Sequence, residues 1–153
     1  MAAMTPEEIE RFVDQTFPQA RTLAWRIEST AHRRATVSLA VVRDHLRPGD
    51  TVSGPTLMSL ADTAMYFAVL ASIGPVALTV TTNLSINFLR KPGGGELVAD
   101  AEILKLGARL AVGQVLIRTR EGSAASPAVD DDPSGDPTLV AHATVTYSIP
   151  PTS

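Results

Sequence analysis

The sequence predicts an α+β domain in which one antiparallel sheet packs against one long apolar helix. Several segments alternate apolar and polar residues with the period of a half-buried strand, whereas the long apolar segment Pro55–Ile73 has helical spacing. The alternating segments are grouped before and after that helix, instead of alternating with several helices. This order favours a layered α+β design over a parallel α/β sheet.

The elements before the long helix are a short helix and two strands. Thr5 is a good N-cap, so Thr5–Thr16 is expected to form a helix whose apolar face covers the body of the domain. Alternating residues then predict strands over Arg21–Glu28 and Ala35–Val41. Turn-forming residues fill positions 43–54, which are expected to form a loop.

The long helix is expected to end at Gly74-Pro75, and four strands should follow it. In the first, Ala77–Pro92, strict alternation places Thr82 as the only polar residue on the apolar, helix-facing side and Asn83 on the other side. The remaining three predicted strands are Glu96–Leu106, Arg109–Thr119 and Thr138–Ser148.

Length and composition are those of one domain, residues 1–153, with a helical N-terminal extension at 1–18. Positions 121–137 hold five acidic residues and no Lys or Arg, so the rest of the chain carries +2 of the net charge of −3. This stretch is expected to be a flexible acidic insertion. The nearly neutral remainder lacks the basic stripe of a nucleic-acid-binding protein.

Other classes are disfavoured by residues that the sequence lacks. It contains no cysteine, and its three histidines have no metal-ligand spacing, so we expect no metal or cofactor and place the histidines at the surface or in turns. The N-terminus is acidic where a signal peptide is basic, and the longest apolar run is broken by Ser, Gly and Pro. The sequence therefore predicts a cytoplasmic protein that neither spans nor binds a membrane.

A single charge, Asp62, lies in the long helix, on a face otherwise made of small or uncharged polar residues. Two interpretations remain open. Either the face is simply solvated, or it is a half-buried interface that keeps a carboxylate for chemistry, because an unpaired buried carboxylate is costly. The absence of Lys, Arg and Glu from this face favours the second interpretation. The members of the face are Thr56, Ser59, Asp62, Thr63 and Tyr66.

Two segments, "SGPTLMSLADTAMY" and "TTNLSINFLRKP", closely resemble the hotdog-fold acyl-CoA thioesterases of the PaaI-like, phenylacetate-pathway type. The resemblance covers about residues 46–119 and the last strand. In that family a His-Gly-Gly motif starts the central helix, and an acidic residue follows nine positions after the His. Here Ser53 falls on the His, Gly54 on the first Gly and Asp62 on the acid.

The resemblance implies a hotdog fold, hydrolysis of an acyl-CoA thioester, and assembly as a homodimer or homotetramer. It assigns Asp62 as general base or nucleophile, the Gly54 N–H as oxyanion donor, and Thr82 as the hydroxyl that orients water. Gly54 and Asp62 are about 12 Å apart along one helix, so they cannot both touch one carbonyl. If both act, each site must combine residues of two subunits related by a two-fold axis.

The chain departs from the family at two positions. Ser53 replaces the motif His, and Arg47 lies where related enzymes have an Asn that holds the thioester carbonyl. Ser53 and Arg47 are nevertheless candidate substrate contacts. So are Thr56, on the polar face of the long helix, and Asn83, on the polar face of the strand that follows it. The other candidate contacts are two cations that could meet coenzyme A phosphates, Arg90 and Lys91.

Three hypotheses therefore stand. The protein hydrolyses acyl-CoA; or it is a catalytically weak hotdog protein that binds an acyl ligand without turnover; or it is a structural domain whose Asp62 is solvated. A hotdog hydratase is disfavoured because Phe67 occupies the position of its histidine. A serine nucleophile at Ser53 or Ser59 lacks the G-x-S-x-G elbow and a nearby His.

Overall fold

The computed structural model describes residues 2–120 and 131–151 of the chain. The predicted helices and strands appear in the expected order, with boundaries within a few residues of the predicted ones. The segment 43–54, predicted to be a loop, also contains a 3-10 turn and two strands of two residues each. In chain order the helices and strands are α1 (Pro6–Thr16), β1 (Trp25–Ala31), β2 (Arg34–Ala40), β3 (Leu46–Arg47), β4 (Thr51–Val52), α2 (Gly54–Ile73), β5 (Val80–Phe88), β6 (Glu96–Leu106), β7 (Leu110–Thr119) and β8 (Leu139–Ser148).

Six of the strands form one sheet in the order β1-β2-β6-β7-β8-β5, and every neighbouring pair is antiparallel. Helix α2 packs on one face of this sheet and contacts all six strands. Strands β3 and β4 form a separate two-stranded hairpin just before α2. The predicted α+β class, with one antiparallel sheet wrapped around one long helix, is confirmed.

The second half of α2 is buried on every side, from Ala64 to Ala71. In its centre Phe67 meets Trp25 of β1 edge-on, with ring centroids 4.7 Å apart. By length and composition alone α2 is apolar enough to cross a membrane. Its apolar character is accounted for by the sheet against which it packs, since 61% of that segment is buried within the protein.

Helix α1 begins with the predicted cap: Thr5 accepts the N–H of Glu8, and the Glu8 side chain accepts the N–H of Thr5. The predicted start of the first strand at Arg21 is wrong, because Pro18–Thr22 forms a 3-10 turn. In that turn Arg21 pairs with Asp14 and lies 4.4 Å above the Trp25 ring. These local contacts outweigh the alternating pattern of the segment.

A β-bulge in β5 changes which side chains face α2. Cross-strand partners show that Thr81 pairs with Tyr147 and Asn83 with Thr146, so Thr82 is an extra residue between two pairs. Thr81 therefore shares the helix-facing side with Leu84, whereas strict alternation placed Thr82 there. The expectation that Thr82 faces the helix is wrong, because one inserted residue reverses the alternation.

The acidic insertion predicted over residues 121–137 lies largely outside the described residues, which resume at 131. Its last part returns to the sheet through two ion pairs. Asp132 lies 3.6 Å from the guanidinium of Arg90, and Asp136 lies 3.2 Å from that of Arg118. The predicted flexibility of residues 121–130 stays a prediction.

Candidate active site

Asp62 lies on the half-buried face of α2 that turns toward the edge strand β5. Its carboxylate oxygen Oδ1 accepts two hydrogen bonds, from the Thr81 hydroxyl at 2.6 Å and from the Tyr147 hydroxyl at 2.7 Å. The Tyr147 hydroxyl also lies 3.0 Å from the Asp62 carbonyl oxygen. The carboxylate is therefore held within the protein, and it is not a freely solvated surface group.

The strand register explains why two hydroxyls converge on one oxygen. Thr81 and Tyr147 are direct cross-strand partners on β5 and β8, so their side chains emerge side by side on the same face of the sheet. The bulge at Thr82 makes this possible, because it turns Thr81 toward the helix. Thr82 itself is exposed, and its hydroxyl is directed to the Thr146 carbonyl at 3.4 Å.

Tyr147 is a permanent hydrogen-bond donor in this site. Burial raises the pKa of its phenol far above the ordinary value, and the negative charge of Asp62 raises it further. The ring of Tyr66, one turn of α2 beyond Asp62, stacks on the Tyr147 ring with centroids 6.0 Å apart. Burial also raises the pKa of the Tyr66 phenol. Both tyrosines are neutral at physiological pH.

A cleft of about 530 Å³ opens beside the carboxylate. Its volume is within the range of small-molecule sites in proteins. The walls come from α2, from the start of β5 and the residues before it, and from the turn after α1. They are mainly apolar apart from Asp62 and a few hydroxyls, and they include Phe17, Ala20, Thr63, Tyr66, Phe67, Ala77, Leu78, Val80, Thr81 and Tyr147.

The other predicted site residues gather at the start of α2, away from Asp62. Gly54 is the first helical residue, so its N–H has no partner within the helix. Ser53 is the N-cap: its Oγ accepts the Thr56 N–H at 3.3 Å and lies 2.8 Å from the Thr56 hydroxyl. The ring of Phe88, at the far end of β5, lies against Gly54, so a Cβ at position 54 would come within 3.3 Å of it.

The predicted cationic contacts have different surroundings. Arg47, in β3, and Lys91, after β5, are exposed. Arg90 is mostly buried, and its guanidinium donates to the Leu139 carbonyl at 2.9 Å besides pairing with Asp132. Arg90 thus has a structural role in joining β5 to β8. Asn83 is exposed on β5, on the face opposite to Thr81.

Within residues 2–120 and 131–151, no three His, Asp or Glu side chains cluster as metal ligands would. His32 and His45 lie in turns, as expected, whereas His142 is a half-buried residue of β8 whose Nε2 lies 3.2 Å from Gln114 Oε1. His45 is buried, and its Nδ1 accepts the Val42 N–H at 3.0 Å. It closes the loop that leads into β3.

Sequence reasoning missed Thr81 and Tyr147 as neighbours of Asp62. The signal for Tyr147 was present, because the core face of β8 is aliphatic except at this position. A buried tyrosine hydroxyl needs a polar partner, and Asp62 is the polar group on the apolar helix opposite. Thr81 could not be found in this way, because no local pattern revealed the bulge.

Comparison with known proteins identifies the family. The family described as Thioesterase superfamily matches residues 49–126. A candidate thioesterase from Silicibacter sp. TM1040 is 40% identical over 99% of this chain and 95% of its own, with a TM-score of 0.78. The phenylacetic acid degradation protein PaaI from Thermus thermophilus is 26% identical over 87% of this chain and 99% of its own, with a TM-score of 0.67.

The PaaI protein of E. coli has the same fold, with a TM-score of 0.74 at 21% identity over 94% of this chain and 92% of its own. No curated protein matches the chain in sequence. The family match covers the start of α2, Asp62 and β5, the elements that carry the candidate site. The chain therefore belongs to the thioesterase superfamily, as a PaaI-like hotdog protein, and this membership supports thioester hydrolysis as its chemistry.

Proposed function

We propose that the protein hydrolyses acyl-CoA thioesters to a free acid and coenzyme A, in sites shared between two subunits. The observation that carries this proposal is the carboxylate of Asp62, held on one oxygen by Thr81 and Tyr147 beside a mainly apolar cleft. A fixed carboxylate next to an apolar cavity suits a reaction in which a base activates water beside an acyl chain.

In the proposed reaction, Asp62 removes a proton from a water molecule whose oxygen adds to the thioester carbonyl. The carbonyl oxygen becomes an oxyanion, which the N–H of Gly54 at the start of α2 stabilises, assisted by the positive end of the helix dipole. The carbon–sulfur bond then breaks, and the proton held by Asp62 passes to the departing thiolate. Attack by Asp62 itself would instead form an anhydride with the acyl group. In one turnover in ¹⁸O-labelled water, label in Asp62 would reveal this route, because water that adds to the Asp62 carbonyl of the anhydride leaves its oxygen there.

The distribution of groups within one chain supports a shared site. Gly54 and Asp62 are separated by about two turns of α2, or about 12 Å, and no bend brings them together. The open face of α2 and the edge strand β5 also carry exposed apolar side chains, among them Val80 at 55%, Phe88 at 52% and Met58 at 41% exposure. An edge strand with such side chains favours pairing with a second copy.

Coenzyme A is the proposed carrier because two exposed cations flank the start of α2. Arg47 lies on the hairpin just before it, and Lys91 adjoins Pro92, whose carbonyl accepts the N–H of Val52 at 2.9 Å. Arg47 and Lys91 are thus joined, through the hairpin and through this hydrogen bond, to the segment that leads into Gly54, the proposed oxyanion donor. Phosphates of the nucleotide could pair with them at the mouth of the site.

The test is a thiol-release assay on short-chain, long-chain and aromatic acyl-CoAs. The chain has no cysteine, so a thiol-reactive dye reports only released coenzyme A. Matched N-acetylcysteamine thioesters, which lack the phosphates, are the control. We expect hydrolysis of at least one acyl-CoA and a much lower kcat/KM for its cysteamine analogue. Equal rates for both carriers would contradict the coenzyme A assignment.

A second function, acyl-CoA binding without turnover, is favoured by the N-cap role of Ser53. Where related enzymes have a His, this hydroxyl accepts the Thr56 N–H and bonds to the Thr56 hydroxyl, so it caps the helix. Calorimetry with a non-hydrolysable acyl-CoA thioether separates the two functions. Tight binding together with absent thiol release would establish binding alone.

A further inference from the structure

Tyr147 contacts Asp62, but the reaction proposed above assigns Tyr147 no role. The tyrosine is on β8, 85 residues after Asp62 in the chain, and only 3% of it is exposed. Its hydroxyl donates to Asp62 Oδ1 at 2.7 Å and lies 3.0 Å from the Asp62 carbonyl oxygen. The phenol is therefore fixed against both the side chain and the backbone of one helical residue.

The two donors to Asp62 use the same oxygen. Thr81 and Tyr147 both bond to Oδ1, and among the described residues no side chain or backbone group bonds to Oδ2. An ionised carboxylate has lone pairs on both oxygens, so Oδ2 keeps its full accepting capacity. The two oxygens of Asp62 thus differ: one is held by the protein, and the other is available to water or substrate.

Hydroxyl groups are the polar groups that surround this carboxylate within one chain. The titratable groups among the described residues that line the cleft are Asp62, Tyr66 and Tyr147, and no cation is among them. Tyr66 stacks on Tyr147 from the same helix as Asp62. No described Lys, Arg or His of the elements around the cleft lines it, so neutral hydroxyls are what stabilise the negative charge within one chain.

We propose that Tyr147, together with Thr81, is a positioning residue that holds Asp62 Oδ1 and so presents Oδ2 to the reacting water. This inference rests on the proposed function, and it adds a residue from the last strand to the site. Burial raises the pKa of the phenol, so it is protonated and donates at physiological pH. A carboxylate that is held in one orientation avoids the entropic cost of ordering it in each turnover.

The test substitutes Tyr147→Phe, which removes one oxygen atom and keeps the ring. Val145→Ala is the matched control, because Val145 is buried two residues earlier on the same face of β8 and has no polar side-chain atom to donate to Asp62. We expect Tyr147→Phe to lower kcat about 10- to 100-fold with little change in KM, as for the loss of one hydrogen bond to a charged group. Val145→Ala should lower the melting temperature without a comparable loss of kcat.

The pH profile gives a readout that a purely structural role would not change. Hydrogen bonds to a carboxylate favour its ionised form, so their loss should move the acidic limb of kcat to higher pH. The ¹³C carboxyl resonance of Asp62 can be identified as the one that the spectrum of Asp62→Asn lacks. Its pH titration should move in the same direction as the kcat profile, and this measurement needs no turnover. Thr81→Val, at an exposed position, should change the pH profile and the NMR titration in the same direction. It replaces Tyr147→Phe in the test if that variant does not fold.

The outcomes separate this inference from the proposed function. If the wild type hydrolyses acyl-CoA and Asp62→Asn does not, an unchanged kcat and pH profile in Tyr147→Phe overturn the positioning role alone. If the wild type hydrolyses no thioester, the proposed function fails, and the NMR titration still decides whether Tyr147 stabilises the charged form of Asp62. An unchanged titration in both Tyr147→Phe and Thr81→Val overturns the inference.

Discussion

At the scale of single residues, Asp62 is the group on which the proposed chemistry depends. Its side chain is half-buried, and it is stabilised by two hydroxyl groups and by no cation among the described residues of the cleft. A half-buried carboxylate with no cation beside it is unusual on an otherwise apolar helix, and a protein usually retains such a group for a function.

Asp62→Asn keeps the size of the side chain but removes the base. We expect kcat to fall at least 10²- to 10⁴-fold, as when a positioned base is lost, while substrate binding and stability change little. Asp100→Asn is the control, because Asp100 is an exposed carboxylate of β6 that bonds to Thr36 and pairs with Arg118. A wild-type rate in Asp62→Asn would show that another group performs the chemistry.

The raised pKa of Tyr147 makes a second prediction, about alkaline stability. Its pKa in the folded state lies above the value of about 10 for an unfolded tyrosine, so the stabilising contribution is fully present below pH 10 and is lost as the pH rises above it. This residue should lower the free energy of unfolding by about 1.4 kcal/mol per pH unit in that range.

Urea titrations at pH 9, 10 and 11 test this on the wild type and Tyr147→Phe. The variant lacks the ionisable group, so its stability should fall less steeply, and the difference between the two proteins should narrow as the pH rises. Parallel pH dependences would contradict the assignment of a buried, protonated phenol.

At the scale of elements, the contact between α2 and β7 depends on a glycine. A Cβ at Gly113 would lie 2.5 Å from both the Glu102 carbonyl oxygen and the Met65 Cε atom. The methionine can move, but the carbonyl belongs to the backbone of the neighbouring strand. Any side chain here would therefore push β7 away from β6 or from the helix.

Gly113→Ala should destabilise the protein by about 1–3 kcal/mol, the usual cost of overpacking a core. For a chain of this size the melting temperature should fall by roughly 2–4 °C per kcal/mol. Gly94→Ala is the control, because a Cβ added there would meet nothing within 4 Å and its φ is not positive. Equal melting temperatures for the two variants would mean that β7 tolerates the added carbon.

At the scale of the whole molecule, the open side of α2 is the surface on which a second subunit should dock. The exposed or half-buried residues along it recur at helical spacing, as Pro55, Met58, Ser59, Asp62 and Thr63. Because this stripe includes Asp62, its coverage by a second copy would bring that copy's Gly54 toward the carboxylate.

Met58→Asp places a charge on this stripe. We expect sedimentation to show a folded monomer of 16.2 kDa in place of a dimer, with loss of thioesterase activity. Leu104→Asp is the matched control, since Leu104 is an exposed apolar residue at 55% on β6. A wild-type protein that sediments only as a monomer at micromolar concentration would defeat the shared-site proposal.

Subunit complementation tests the shared site directly. Gly54→Pro removes the proposed oxyanion donor, and Asp62→Asn removes the base, so each homodimer should be inactive. In a mixed dimer one of the two sites keeps both wild-type groups. Random mixing makes half of the dimers mixed, so about a quarter of the wild-type activity should return. No recovery in the mixed dimers would show that Gly54 and Asp62 do not act together in a site shared between subunits.

Most of the fold could be predicted because its signals are local. The Ser53 cap and the Gly74 stop delimit α2 within one residue of the prediction, since backbone donors and acceptors at helix ends need specific partners. The alternation of residues and the turn residues beside it likewise predicted the start of β6 and the ends of β7 and β8 correctly. The separation of Gly54 from Asp62 followed directly from the helical rise.

The surroundings of Asp62 were decided only by the tertiary structure. Strict alternation selected Thr82, but one inserted residue in β5 placed Thr81 beside the carboxylate instead. Tyr147 reaches Asp62 across 85 residues of chain, because β8 pairs with β5 beneath the helix. Periodic sequence patterns determine which residues form an element and which face is apolar. Strand register and bulges depend on the energy of the whole sheet, and so they decide which side chains meet.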